Sequence, residues 1–108
     1  MLEFKNNVEL CGFIGNVTVQ KVTEEVSVAR FSLATNRVNR NAGGAIVVET
    51  TWHSIIAWDS KQTPISDLEK GKAVRVRGFI RNNRFVDAQG REKDCAEIVA
   101  TSLEMVDE

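Results

Sequence analysis

The chain has 108 residues, of which 43% are hydrophobic and 27% charged, and its formal net charge is −1. This length suffices for one domain with its own hydrophobic core, and the composition excludes a disordered or fibrous chain. No apolar run approaches the length of a membrane span, and the N-terminus lacks the apolar region of a signal peptide. We therefore expect one cytoplasmic globular domain that does not contact a membrane.

The two cysteines, Cys11 and Cys95, lie far apart in the sequence, and neither has a histidine at ligand spacing. Zinc sites need such closely spaced ligands, so we predict no metal site and no cofactor. Isolated cysteines without metal partners commonly behave as small buried apolar residues. We therefore predict that both thiols are free and buried.

Apolar and polar residues alternate in five stretches, which is the pattern of β-strands with one face in a core. Gly12 and Gly15 interrupt the first stretch and predict a bend or bulge there. The polar segments 39–44 and 87–92 have the composition of hairpin tips. The predicted strands cover residues 8–15 with a short continuation over 17–22, then 26–36, 46–58, 72–86 and 95–105.

One short helix is predicted between the third and fourth strands. Ser66 is followed three residues later by Glu69, which matches a helix capping box, and Gly71 would end the helix after one or two turns. Five strands with a short helix between the third and fourth are the elements of an OB-fold, an all-β five-stranded Greek-key barrel. We assign residues 1–108 to a single such domain, with a short tail at about 106–108.

The stretch 51–58 contains both tryptophans and the only histidine. Strand alternation places Trp52, Ser54, Ile56 and Trp58 on one face. The two indoles are then about 20 Å apart, at roughly 3.3 Å per residue, too far to pack on each other but suited to stacking several flat ligands in a row. The alternative is that both tryptophans are core residues, since tryptophan is usually largely buried.

The basic residues are unevenly distributed. Residues 70–86 contain six of them and no acid, and residues 26–48 contain three and no acid. In the fourth strand, alternation predicts Val74, Val76 and Ile80 on the core face. The opposite face carries three arginines and two phenylalanines, namely Arg75, Arg77, Phe79, Arg81 and Phe85. A neutral total can therefore conceal a basic face. Acids from other strands could instead pair with these arginines, and the sequence leaves that alternative open.

Five segments together resemble the bacterial single-stranded DNA-binding protein family. They are residues 7–15, 29–35, 51–53, 70–78 and 87–90, which occur in the order found in that family. The resemblance implies base stacking on Trp52, Trp58 and Phe85, a position for His53 at or near subunit contacts, and a homotetramer or at least a homodimer. Asn39 falls where many members have a further stacking tryptophan, which suggests a weaker or differently tuned site.

Sequence-independent binding of single strands combines aromatic faces that stack bases with a basic groove that follows the phosphates. We assign stacking to the three aromatic residues that match the family. We expect oligomer contacts at His53, Val8 and Leu10, the last two because the first strand carries apolar surface that needs covering. Phosphate contact is assigned to seven basic residues: Arg37, Arg40, Lys72, Arg75, Arg77, Arg81 and Arg84.

Two other functions remain open. One is a primosome-type replication accessory protein that acts mainly through protein partners, and the other is a protein-interaction OB module with no role in nucleic-acid binding. The sequence stops without the glycine-rich linker and acidic tip of typical family members, so we expect no tail-mediated partners. An enzyme is disfavoured because the sequence has no paired carboxylates, no nucleophile–histidine spacing and no phosphate-binding loop.

Overall fold

The computed structural model describes residues 1–107 and consists of five strands joined by turns and loops. All five predicted strands are present: the third has the predicted bounds, the first and fourth agree within one residue at each end, the second ends four residues later than predicted, and the fifth is longer at both ends. The last strand continues through Val106, so the predicted tail begins one residue later, and Glu108 lies outside the described residues. The strands are β1 (Val8–Lys21), β2 (Ser27–Arg40), β3 (Ile46–Trp58), β4 (Ala73–Val86) and β5 (Glu92–Val106).

The strands close into a barrel in the order β1-β2-β3-β5-β4. Four of the five pairings are antiparallel, and the parallel one joins β3 to β5 through Ile55 and Ile56 opposite Ile98 and Val99. The register of β1 against β2 shifts between Ile14 and Val17, which confirms the predicted bulge. This all-β, five-stranded closed barrel is the predicted OB-fold.

The core is formed by one face of each strand. Ala29, Phe31 and Leu33 of β2 face inward as the alternation predicts, and Val74 and Val76 of β4 meet them with no exposed surface. Val8 and Leu10 are half-buried against this same core cluster. A separate, smaller cluster on the outer side of the sheet consists of Val28, Ile56 and Val99.

The predicted helix after Ser66 is wrong, because the segment between β3 and β4 consists of successive turns. Ile65 and Leu68 are both buried, and the amide of Leu68 donates to the carbonyl of Ile65 at 3.3 Å. Gly71 adopts φ +90° and its amide donates to the carbonyl of Ile14. These contacts hold the segment against the barrel, and a positive φ at Gly71 turns the chain into β4 where a helix could not continue.

Ile80 is half-exposed, so its predicted place in the core is wrong. β1 pairs with β4 only as far as Val8 opposite Gly78. β5 still pairs with β3 through Ile98 and Val99, opposite Ile80 and Phe79, and beyond Ile80 the strands β4 and β5 continue as a two-stranded ribbon. The Asn6 side chain fills the open edge: it accepts from the Ile80 amide at 2.9 Å and donates to the Ile80 carbonyl at 2.7 Å.

The prediction of buried thiols is also wrong, because Cys11 and Cys95 are both free and exposed. Cys11 alternates to the outside of β1, between the inward-facing Leu10 and Gly12. Cys95 lies in the ribbon opposite Asn83, where no barrel interior is available to receive it. Among residues 1–107 no helix is long and apolar enough to cross a membrane.

Candidate nucleic-acid interface

Both tryptophans of β3 are substantially exposed, 61% for Trp52 and 45% for Trp58. The indole of Trp52 lies over Gly15, where an added Cβ would approach its Cζ3 to 2.7 Å. The bulged strand β1 therefore supports one face of this ring because its residue there has no side chain. Between the two tryptophans, Ile56 on the same face is buried in the outer cluster, so the face is a row of separate surfaces and not one flat platform.

An open groove of about 360 Å³ lies between the outer surface of the barrel and the β4–β5 ribbon. Its barrel side includes Asn16, Ser32 and Ser54, and its ribbon side includes Asn83 and Phe85. Phe85 is 47% exposed. Asn83 and Phe85 lie two residues apart on the same face of β4, which is why one side of the ribbon supplies this wall.

The groove is continuous with the surroundings of Trp52. A neighbouring depression shares Asn16 and Ser32 with it and is also lined by Gly15, Trp52 and Lys70. A third depression, on the other side of Trp52, shares Ser54 and Cys95 with the groove. Trp52 and Phe85 are thus two exposed aromatic residues on one connected concave surface.

Two arginines converge on a buried glutamate at this groove. Glu97 of β5 is only 6% exposed at its side chain, and each of its carboxylate oxygens accepts a hydrogen bond of 2.8 Å from a different arginine. Arg81 lies directly opposite it in the β4–β5 register. Arg30 comes from β2 and reaches across the intervening strand β3. Both arginine side chains remain about half-exposed.

The other arginines of β4 also face acids, so the alternative that the sequence left open is present in the structure. The register places Arg75 opposite Glu104, Arg77 opposite Glu9 and Arg84 opposite Asp94. The corresponding nitrogen–oxygen distances are 3.7, 2.7 and 3.1 Å. The hydrogen bond and charge of Arg77 lower the pKa of Glu9, and those of Glu9 raise the pKa of Arg77.

These three pairs are solvent-exposed, and such pairs contribute little to stability. Arg77 lies with Glu9 beside β1, and Arg84 alternates to the face of the ribbon away from Phe85. Lys72 pairs with Glu69 at 3.5 Å and lines a depression with Asp67 and Met105. Among the predicted phosphate contacts of β4 and the preceding loop, Arg81 is the one that the structure joins to a groove-lining residue, Glu97, and the others lie elsewhere.

Arg37 and Arg40 belong to the long β2–β3 hairpin. Arg40 pairs with Ile46 and alternates to the same face as Trp52, whereas Arg37 is opposite Glu49 on the other face. The hairpin tip is closed by Asn41, whose side chain accepts from the amides of Gly43 and Ala45 at 3.0 Å each. Both arginines are exposed, and within residues 1–107 neither forms an ion pair.

The predicted oligomer contacts are more enclosed. His53 is half-buried, and its Nε2 is 2.8 Å from the hydroxyl of Thr35. Val8 and Leu10 point toward the barrel core, so the outward-facing residues of β1, Cys11 and Phe13, present more surface to a partner. Phe13 is 43% exposed.

Sequence reasoning did not assign Lys70, Arg30, Asn16 or Asn83 to the site. Lys70 and Arg30 were visible as members of the two acid-free segments, but only the fold brings Lys70 beside Trp52 and Arg30 into the groove. The two asparagines carry no distinguishing pattern in the sequence. Their position on facing sides of the groove depends on how the ribbon curves over β3.

A model of the family described as "Single-strand binding protein family" matches residues 5–106. The chain belongs to this family. Curated relatives include Single-stranded DNA-binding protein 1 of Chlorobaculum tepidum, which is 33% identical over 104 residues, covering 94% of this chain and 64% of the relative. The Single-stranded DNA-binding protein of Xanthomonas axonopodis pv. citri is 30% identical over 103 residues, covering 94% and 57%. The chain thus spans about three fifths of the length of these relatives.

Solved structures of the single-strand binding family have the same fold. The Plasmodium falciparum SSB in complex with ssDNA superposes with a TM-score of 0.79 at 28% identity, covering 99% of this chain and 100% of that one. A deletion mutant of the single-stranded DNA binding protein from Thermus aquaticus superposes with a TM-score of 0.77 at 16% identity, covering 95% and 51%. The second likeness concerns the fold alone.

Proposed function

We propose that this domain binds single-stranded DNA without sequence preference, by stacking bases on Trp52, Trp58 and Phe85. The observation that carries the proposal is the connected concave surface with Trp52 and Phe85 exposed along it and arginines at its floor. An exposed aromatic face stacks any base, because every base has a π-face. Family membership and the likeness to the Plasmodium falciparum SSB, whose structure holds ssDNA, support the same function.

The proposed phosphate-contacting residues differ in how close they lie to the exposed aromatic residues and in whether they pair with acids. Arg81 lies at the groove and Arg40 on the Trp52 face of the hairpin, so these two are the first candidates among the predicted set. The other five would contribute mainly through the positive electrostatic potential of the surface, since four of them form ion pairs with acidic residues. They are Arg37, Lys72, Arg75, Arg77 and Arg84. Lys70, beside Trp52, is added as a candidate.

The proposal extends to assembly and location. We infer a homotetramer or homodimer in the cytoplasm, with His53, Val8 and Leu10 near the contact surface, and a role in replication, recombination or repair without enzymatic activity. The exposed outer face of β1 and the exposed Leu2 and Phe4 supply apolar surface for such contacts.

The direct test is binding of a labelled oligonucleotide of about 16 thymidines, near the upper site size of one OB-fold. Fluorescence anisotropy should show binding to this strand and comparable binding to a mixed sequence, with much weaker binding to a duplex of the same length. Absence of binding to either single strand by a folded protein would contradict the proposal. It would favour an OB module that acts through protein partners.

A further inference from the structure

The side chains at the floor of the Phe85 groove form a compact unit with excess positive charge. Arg30, Arg81 and Glu97 together carry a net charge of +1, and Glu97 uses both of its oxygens to hold the two guanidinium groups. The Glu97 side chain is 6% exposed, whereas the Arg30 and Arg81 side chains are 55% and 49% exposed. The negative charge of this unit is therefore buried, and the side chains that carry its positive charges reach the solvent.

Each guanidinium group has five N–H donors in a fixed, planar arrangement. Each donates to Glu97 through one nitrogen, Nη1 in Arg30 and Nη2 in Arg81. The remaining donors are available to another acceptor, and the groove is open to solvent. A phosphate oxygen is the acceptor that two converging arginines bind best, because paired charge-assisted hydrogen bonds add geometric specificity to charge attraction.

We propose that Arg30 and Arg81 form a two-arginine site for a backbone phosphate of the strand whose bases stack on Phe85, and that Glu97 is a positioning residue that holds both guanidinium groups in place. The proposal deepens the function proposed above and rests on it. It adds Arg30, which lies two strands away from the ribbon and is joined to it by the hydrogen bond to Glu97. It also gives a buried carboxylate in a DNA-binding groove a role other than repulsion.

A simpler interpretation of the same contacts predicts the opposite sign. If Glu97 only neutralises the arginines, Glu97→Gln removes a negative charge and frees two positive charges, so affinity for DNA should rise and its salt dependence should steepen. If Glu97 positions them, a glutamine oxygen can accept from one guanidinium group only, because its NH₂ group is a donor. The other arginine then loses the hydrogen bond that fixes its guanidinium group, and the affinity for DNA should fall although the protein is more positively charged.

The experiment measures the affinity of an oligonucleotide of about 16 thymidines between about 50 and 200 mM salt. It compares the full chain with Glu97→Gln and with Glu24→Gln. Glu24 pairs with Lys21 in an exposed turn, so this control removes the same charge away from the groove. We expect Glu97→Gln to lower affinity roughly tenfold, as for loss of a charge-assisted hydrogen bond, and to flatten the salt slope by about 0.7, the value for one lost phosphate on a single strand. Glu24→Gln should leave both values nearly unchanged.

Arg30→Ala provides a second variant that does not leave Glu97 without a partner, since Arg81 remains. It should flatten the slope by about 0.7 as well, with a thermal melt that shows a folded protein. This variant decides the outcome if Glu97→Gln fails to fold. Unchanged slopes, or tighter binding by Glu97→Gln, in a protein that still binds thymidine strands would overturn the two-arginine site and leave the proposed function standing. If the unmodified chain does not bind these strands, both proposals fail.

Discussion

At the scale of single residues, the proposed stacking role depends on how the tryptophans of β3 are exposed. Trp52 has two ring atoms, Cζ3 and Cη2, close to Gly15 and is 61% exposed, and Trp58 ends the strand on the same side with 45% exposure. A ring that is partly held by the protein and partly exposed loses little entropy when a base stacks on it. These two residues therefore provide the most direct mutational test of stacking.

Trp52→Ala and Trp58→Ala should each weaken binding of thymidine strands by roughly 1–3 kcal/mol, the range for loss of one stacked base. Because both side chains are largely exposed, the melting temperature should change little. Anisotropy titrations and thermal melts of the two variants check this. A variant that melts far below the parent with unchanged affinity would show that its indole is a packing residue.

The exposure of these tryptophans follows only in part from the sequence. Alternation correctly paired Trp52 with Trp58 on one face, but it could not show that Ile56 between them is buried. That burial depends on Val28 and Val99, which come from two other strands. The exposed thiol of Cys95 was missed for a related reason, since it lies in a ribbon that leaves the barrel.

At the scale of elements, β4 carries two different kinds of arginine. Arg81 lies at the Phe85 groove, while Arg75 is engaged with Glu104 on β5. The sequence showed that the strand contains no acid, and it could not show the register that places an acid opposite each arginine. Ion pairing between strands depends on the register of the closed barrel, and it cannot be predicted from the composition of one strand.

Arg81→Ala should flatten the slope of log affinity against log salt by about 0.7, and Arg75→Ala should leave it nearly unchanged. The affinity lost in Arg81→Ala should be the same for thymidine and mixed strands, because phosphate contacts carry no base identity. Measuring the DNA affinity of both variants over a range of salt concentrations tests whether Arg81 contacts phosphate and Arg75 does not. Equal flattening by both substitutions would instead support a continuous phosphate track along the whole strand.

The β1–β4 seam has a pH-dependent contact between Glu9 and Arg77. The pKa of Glu9 is lowered below its ordinary value of 4.5 by the hydrogen bond and charge of Arg77. A carboxyl group whose pKa is lowered by folding stabilises the fold above its unfolded pKa, and this contribution is lost as the pH falls through the folded pKa. The Glu9–Arg77 pair therefore stabilises the fold at neutral pH, and this stabilisation is lost in acid.

The stability difference between the parent chain and Glu9→Gln should be small at neutral pH, because the pair is exposed. It should shrink further as the pH falls below 4.5, and it should also shrink at high salt. Urea unfolding at a series of pH values measures it. A difference that does not depend on pH would show that the substitution acts through packing and not through the ion pair.

At the scale of the whole molecule, the five strands and the OB-fold class could be predicted because the strands alternate apolar and polar residues and the segments 39–44 and 87–92 have the composition of turns. The helix could not, because a capping-box pattern does not reveal that Ile65 and Leu68 are both drawn into the core. The ribbon beyond Ile80 and the groove beside it also escaped prediction, since both arise where β4 and β5 continue past their pairing with β1 and β3.

Assembly is the second property at this scale. Exposed Phe4 and Phe13 lie next to and within the first strand, and apolar surface of this kind is commonly covered by a partner. We expect light scattering at micromolar concentration to give a mass two or four times 12.0 kDa. Phe13→Ser should shift the distribution toward monomer. A stable monomer of the unmodified chain would contradict the proposed assembly.

The central claim is that bases stack on exposed tryptophans of a single-stranded DNA-binding surface. Intrinsic tryptophan fluorescence of the unmodified chain, titrated with an oligonucleotide of about 16 thymidines, tests it most directly. We predict saturable quenching whose midpoint moves to higher DNA concentration as salt rises from about 50 to 200 mM. A folded protein whose tryptophan emission is unchanged by the strand at the lower salt would contradict this claim.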